Sequence, residues 1–225
     1  MNTKTDIKKI SITAVLCALA YLCMFVFKFK VSFLSFDFKD AVLAVISFLY
    51  GPLYGVLSAL IVALTEFVSV SDTGVYGLLM NFISSASFAG TCGLIYKYRR
   101  KISGAVMGCA FAVLVMTAFM LIANIFITPF YMGAPRQTVI EMIPTLLLPF
   151  NLLKGIMNAA ITIIIYKPIT SALKRTKLVT SSGKNTDRKK FFLLTVLSII
   201  IIIIAAIIII FLLKGSFMYL PQINS

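Results

Sequence analysis

The sequence predicts an all-α integral membrane protein, a bundle of six helices followed by one extra C-terminal transmembrane helix. Three observations predict it. The 225-residue chain is 60% hydrophobic and has a mean hydropathy of +1.04, more apolar surface than a water-soluble fold can hide. Stretches of about 20 apolar residues, the length that crosses a bilayer, recur along it. Most of its basic residues gather between those stretches, with Lys154 the notable one inside.

The first helix is expected at Ile7–Phe27, after Lys4, Lys8 and Lys9. It ends in Phe27-Lys28-Phe29-Lys30 without a small-residue cleavage site, so it is read as a retained helix and not as a signal peptide. A short outer loop, Lys28 to Phe36, leads to a second helix over Asp37–Tyr50. About 14 residues rise only ~21 Å, too little to span alone. Gly51-Pro52-Leu53-Tyr54-Gly55 turns the chain into a third helix, Pro52–Val70, because Gly and Pro favour a tight break. Further helices are expected at Val75–Tyr96, Gly104–Pro129 and Pro144–Lys167. The stretch Thr180 to Asp187 reads as polar linker, and Phe191–Leu213 is nearly uniform isoleucine and leucine without a polar face. Such a helix suits an appended anchor. The chain thus divides into a six-helix membrane domain (1–175), a polar cytoplasmic linker (176–190), and an extra helix with a short outer tail (191–225).

A net charge of +14 suggests nucleic acid in a soluble protein, but here it sets topology. Lys4, Lys8, Lys9, the Lys97 to Lys101 cluster and the eight basic residues from Lys167 to Lys190 share one side. That excess predicts a cytoplasmic N-terminus in a multi-pass membrane protein. No nucleic-acid partner is expected; the lipid bilayer is.

Enzymatic chemistry finds no support. Histidine is absent, and Cys17, Cys23, Cys92 and Cys109 lie inside apolar segments without metal-ligand spacing. No pair of carboxylates has a convincing acid/base spacing, and Gly183-Lys184 lacks the preceding glycine of a phosphate-binding loop. No cofactor or metal is expected, and any ATP-driven work requires another subunit.

Binding is better founded. Lys154 interrupts the apolar run from Ile143 to Tyr166, where a lysine costs roughly 2.5–3.5 kcal/mol on insertion scales. Asn151 and Asn158 share its helical face. Asn124 lies in apolar surroundings in the fifth helix, and the fourth offers Asn81, Ser84 and Ser85. Polar groups at membrane depth face the bundle interior or a cavity. For Asn81, Ser84 and Ser85 interhelical hydrogen bonding is expected; for Lys154, Asn151 and Asn124, a ligand. Asp37 and Asp40 open the second helix, where they either cap its positive end or belong to a ligand-contacting loop. Glu66 sits near the outer end of the third. Ala14 and Ala18, four residues apart, allow close approach of another helix, within this chain or in another subunit.

These segments resemble the substrate-binding S components of energy-coupling factor (ECF) vitamin transporters, most closely the riboflavin-binding kind. The resemblance spans residues 7–175. It rests on Phe36-Asp37-Phe38-Lys39-Asp40 leading to Gly51-Pro52-Leu53-Tyr54-Gly55, on Gly77 to Phe82, on Asn124 to Tyr131, and on Pro149 to Gly155. Related sequences usually carry a proline two residues after the second aspartate; here Ala41 and Val42 follow Asp40. The resemblance implies high-affinity riboflavin binding near the outer face, under the loop after the first helix. Asn124, Asn151 and Lys154 would hydrogen-bond the flavin, with Asp37 in the loop beside it, and its ring would lie against Phe33, Leu34, Phe36 and Tyr131. Ala14 and Ala18 would dock on a transmembrane coupling subunit that works with two cytoplasmic ATPase subunits. The alternatives are an S component for another vitamin or a flavin nucleotide, or a solitary ion-coupled carrier.

Overall fold

The computed structural model describes residues 3–31, 34–70, 73–175 and 188–215. Helix α1 (Thr3–Phe27) leads through a two-stranded antiparallel hairpin, β1 (Phe29–Val31) and β2 (Leu34–Phe36), into α2 (Lys39–Tyr50). Then come α3 (Pro52–Val70), α4 (Gly74–Tyr98), α5 (Ile102–Met132) and the short α6 (Arg136–Met142). A π-helical turn, Ile143–Leu147, joins α6 to α7 (Leu148–Arg175), and α8 (Arg188–Gly215) follows.

Among the described residues, six helical stretches are long and apolar enough to cross a membrane: Ile7–Phe27, Pro52–Val70, Gly74–Tyr98, Ile102–Met132, Arg136–Leu173 and Phe191–Ile208. Helix α2 is not among them. Its residues from Lys39 to Phe48 are all buried, so it is the axis around which α1, α3, α4 and α7 pack. The large apolar side chains that stay exposed, such as Leu57, Ile61, Leu64 and Val68 on α3, mark the faces turned to lipid.

The corner between α2 and α3 shows why its sequence has two glycines. Gly51 has φ 101° and ψ 169°, a region essentially reserved for glycine. A Cβ on Gly55 would meet the Ser47 Oγ at 1.7 Å, so the corner closes only with hydrogen there. Pro52 opens α3, where its missing N–H is no loss.

Two departures from the expected elements have physical causes. The loop from Lys28 to Phe36 is a hairpin whose second strand turns inward: Leu34 and Phe36 are buried, and Phe36 packs on Phe150 of α7 with ring centroids 4.4 Å apart. The helix expected from Pro144 is preceded by α6 and a π turn, in which Leu148 N–H donates to the Ile143 carbonyl five residues back. Pro144 and Pro149 lack the N–H groups needed to keep a regular ladder. Pro129 has the same effect inside α5, freeing the Ile125 carbonyl one turn earlier, and Arg136 Nε donates to that oxygen at 3.3 Å. The guanidinium also lies 4.3 Å from the centre of the Phe126 ring.

Helix α8 packs along α7, and Ala205 joins the cluster of Leu34, Phe36, Val139, Leu147, Phe150, Leu153 and Met157. All four cysteines are free.

Candidate ligand-binding site

Under the hairpin a line of alternating charges runs through the bundle. Lys154 Nζ on α7 is 2.9 Å from Asp37 Oδ2 and donates, at 3.4 Å, to the Ser35 carbonyl of β2. Lys39 Nζ lies 3.5 Å from the same Asp37 oxygen and 2.8 Å from Glu66 Oε2 on α3. Lys28, just after α1, closes on Glu66 Oε1 at 2.9 Å. Three lysines and two carboxylates thus tie α1, the hairpin, α2, α3 and α7 together. Asp40 lies beside this line and accepts a hydrogen bond from the Ser85 hydroxyl of α4.

Each member offsets the desolvation of its neighbours, since an isolated buried charge is far more costly than a paired one. Burial alone would push the Asp37 carboxyl up, but the Lys154 and Lys39 ammonium groups outweigh it. They hold that carboxyl well below the usual carboxylate range. One oxygen is left over: Asp37 Oδ1 is buried without a hydrogen-bond partner among the described residues, as is Asp40 Oδ2.

The start of α2 explains the geometry. Its N-cap is Phe38, which has no side chain able to cap. Asn158 of α7 does the work from outside, accepting from Ala41 N–H at 3.1 Å and donating to the Asp37 carbonyl at 3.0 Å. Its amide also donates to the Lys154 carbonyl at 3.1 Å. Helix α2 is therefore pinned to α7 at the level of Lys154. Gly155 permits the approach of α5 on the other side, because a Cβ there would sit 3.0–3.1 Å from Met116 and Val113 side-chain atoms.

Asn151 and Asn124 are fully buried. Asn151 donates to the Leu147 carbonyl and Asn124 to that of Met120, each at 2.7 Å, and Thr128 donates to Asn124 Oδ1 at 2.9 Å. These are bonds within one helix, so neither amide is used to tie helices together.

The model of the ECF transporter substrate-specific component family matches residues 8–166 of this chain. The chain belongs to that family. This S component is 30% identical over 179 residues to the riboflavin transporter RibU of Staphylococcus aureus (strain TCH60), covering 75% of this chain and 93% of that one. It is 27% identical to the riboflavin transporter FmnP of Bacillus subtilis (strain 168), over 71% of this chain and 90% of the relative. Among solved structures, the S component of a bacterial ECF transporter superposes with a TM-score of 0.63 at 30% identity, covering 78% of this chain and all of the other.

The S-component fold brings together Leu34, Phe36, Asp37 and Lys154, with Asn151 one turn before the lysine. Tyr131 is half-buried near the end of α5. Phe33 lies outside the described residues. Ala14 and Ala18 are exposed on α1. Asp37 is not a cap, because α2 begins at Lys39 after Phe38 and Asp37 pairs with lysines; Asp40 lies in the first turn of α2 and accepts from Ser85. Of the fourth-helix group, Ser85 does bond between helices, whereas the buried Ser84 hydroxyl has no partner among the described residues. The partner that neutralises Lys154 is Asp37, which helical periodicity alone does not reveal. The signal was present, since an expensive buried cation demands a carboxylate and Asp37 and Asp40 were the acids at the right end of the bundle.

Proposed function

We propose that this S component binds riboflavin beneath the hairpin and carries it across the bacterial cytoplasmic membrane, energised by separate ATPase subunits. The observation that carries the reading is the buried Lys154–Asp37 pair with its unpartnered carboxylate oxygen, at the end of the strand that buries Leu34 and Phe36. The pyrimidine edge of an isoalloxazine ring presents carbonyl acceptors on either side of an N–H donor. Lys154 supplies a donor, Asp37 Oδ1 an acceptor, and the amides of Asn124 and Asn151 supply both. Phe36, Leu34 and Tyr131 offer apolar surface to the ring, with Phe33 beside them in sequence. The riboflavin transporters among the relatives support the same ligand.

Lys154 already spends one donor on the hairpin, at the Ser35 carbonyl. A flavin carbonyl in that position exchanges one acceptor for another and frees the hairpin to move, while Asp37 stays as counter-ion. No group here does covalent chemistry. Residues 1–175 form the vitamin-binding unit, with an N-terminus in the cytoplasm, and 176–190 link it to the extra helix within 191–225. The exposed Ala14 and Ala18 face docks on a transmembrane coupling subunit served by two cytoplasmic ATPases.

The test is to purify the full chain in detergent and titrate riboflavin, following quenching of flavin fluorescence, with FMN and other vitamins alongside. Saturable riboflavin quenching at equimolar ligand supports the assignment. A colourless protein that fails to quench riboflavin, or that prefers FMN, overturns it.

A further inference from the structure

At the opposite end of the bundle from the hairpin, α7 and α8 enclose a groove of about 370 Å³ lined by Lys167, Pro168, Ser171, Phe191, Phe192 and Thr195. We propose that this groove binds an anionic phospholipid, its phosphate against Lys167 and Ser171 and an acyl chain along the apolar wall of α8.

The depth is right for a headgroup. The apolar stretch of α7 ends at Tyr166 and that of α8 begins at Phe191. Both meet the segment 167–190, which by sequence carries eight basic residues against one acid, Asp187. Tyr166 hydrogen-bonds Tyr96 at 2.6 Å, which brings Lys97, Arg99, Arg100 and Lys101 to the same end. Basic pockets between helices at such a boundary attract anionic headgroups.

The lining is mostly apolar, suited to an acyl chain, with Lys167 and Ser171 contributing its polar atoms. Lys167 Nζ stands 4.6 Å from the centre of the Phe191 ring, and no carboxylate pairs with it among the described residues. The aromatic face holds the ammonium in place without neutralising it. The Ser171 hydroxyl has no hydrogen-bond partner among the described residues, whereas Thr195 Oγ1 is committed to the Phe191 carbonyl at 2.9 Å. Phe192 and Leu193 are each 70% exposed and continue the wall into the faces of α8 that turn to lipid. The site depends on α8, which lies beyond the residues matched by the family model.

The experiment uses the full chain in nanodiscs of equal phosphatidylglycerol and phosphatidylcholine, released for native mass spectrometry to count retained lipids. Wild type should retain phosphatidylglycerol in preference. Lys167→Gln should cut that preference about fivefold, the share of one lysine near an anionic headgroup, and Lys167→Arg should keep it. Ser171→Leu fills the groove without removing charge and should also expel the lipid, which covers a failure of Lys167→Gln to fold. Lys101→Gln, at the same end but outside the groove, should lower it far less than Lys167→Gln does. Equal retention of both lipids by wild type, or unaltered preference in both Lys167→Gln and Ser171→Leu, would overturn the proposal. So would displacement of the lipid by millimolar inorganic phosphate, which marks a site for the free anion.

Discussion

Lys154 Nζ and Asp37 Oδ2 stand 2.9 Å apart although 117 residues separate them in sequence. That pair joins α7 to the strand that enters α2, and it places the only described charge pair of α7 directly beneath the hairpin. Its role can be separated into two parts, neutralising a buried cation and presenting polar atoms to a ligand, and substitutions distinguish them.

Asp37→Asn removes the charge and keeps the shape, leaving Lys154 buried beside a neutral amide. Removal of one partner from a buried pair costs about 3–5 kcal/mol. The expected outcome is a lowered midpoint in thermal unfolding of the detergent-solubilised protein. Lys154→Met added to Asp37→Asn should recover part of the loss, because the unpaired ammonium is gone. A double variant as unstable as the sum of the singles would show that the two residues do not act as a pair.

If the same residues hold flavin, binding responds separately. Lys154→Ala and Asn151→Ala should each weaken riboflavin binding at pH 7 by roughly 1–3 kcal/mol, the value of a buried hydrogen bond left unmade. Asn124→Ala should do likewise. Fluorescence titration of folded variants reads this directly, and unchanged affinity in all three would remove the site from the hairpin end.

The extent to which the molecule was legible in its sequence follows from the range of the forces involved. The helices, and the Gly51 to Gly55 corner, were readable because hydropathy and turn chemistry are local. Lys154 announced itself because a charge in hydrocarbon needs a reason. Its reason was not local: Asp37 looked like a helix cap, and only packing of α2 against α7 shows that the cap comes from Asn158. The hairpin was hidden for the same cause, since three-residue strands carry too little alternation to stand out. Lys28 and Lys39 look out of place in an apolar loop until Glu66 is found between them. The π turn requires knowing that two prolines fall where α6 and α7 must run together.

Asn158 offers a prediction of that kind. Its side chain joins Ala41 N–H, the Asp37 carbonyl and the Lys154 carbonyl. Asn158→Ala leaves the first turn of α2 uncapped and should destabilise the protein by about 1–3 kcal/mol. Hydrogen exchange should accelerate first at the amides of Lys39 to Val42. Exchange that rises evenly over all helices would mean that the bond has no special hold on α2.

The glycines at two helix ends should behave oppositely. Gly51, at φ 101° and ψ 169°, lies where neither alanine nor asparagine is at ease, so both substitutions should cost about 1–3 kcal/mol. No atom lies within 4 Å of the position a Cβ would take, so the loss is conformational and not steric. Gly133, at φ 63° and ψ 22°, occupies the left-handed helical region that asparagine tolerates. Gly133→Asn should leave the unfolding midpoint nearly unchanged, and a large drop there would contradict the backbone argument.

Ala14 and Ala18 test the assembly step independently of the ligand. Both are exposed on α1, beside the exposed Val15 and Leu19. Small residues four apart let a partner helix approach closely, and a larger side chain holds it away. Ala14→Leu with Ala18→Leu should therefore leave insertion, thermal stability and riboflavin titration as in wild type, since both side chains are exposed. Riboflavin uptake by cells supplying the coupling subunit and ATPases should fall to background, and the coupling subunit should no longer co-purify. Full uptake by the double variant would locate the docking face elsewhere, while loss of flavin binding along with uptake would show that α1 acts within the bundle and not at its surface.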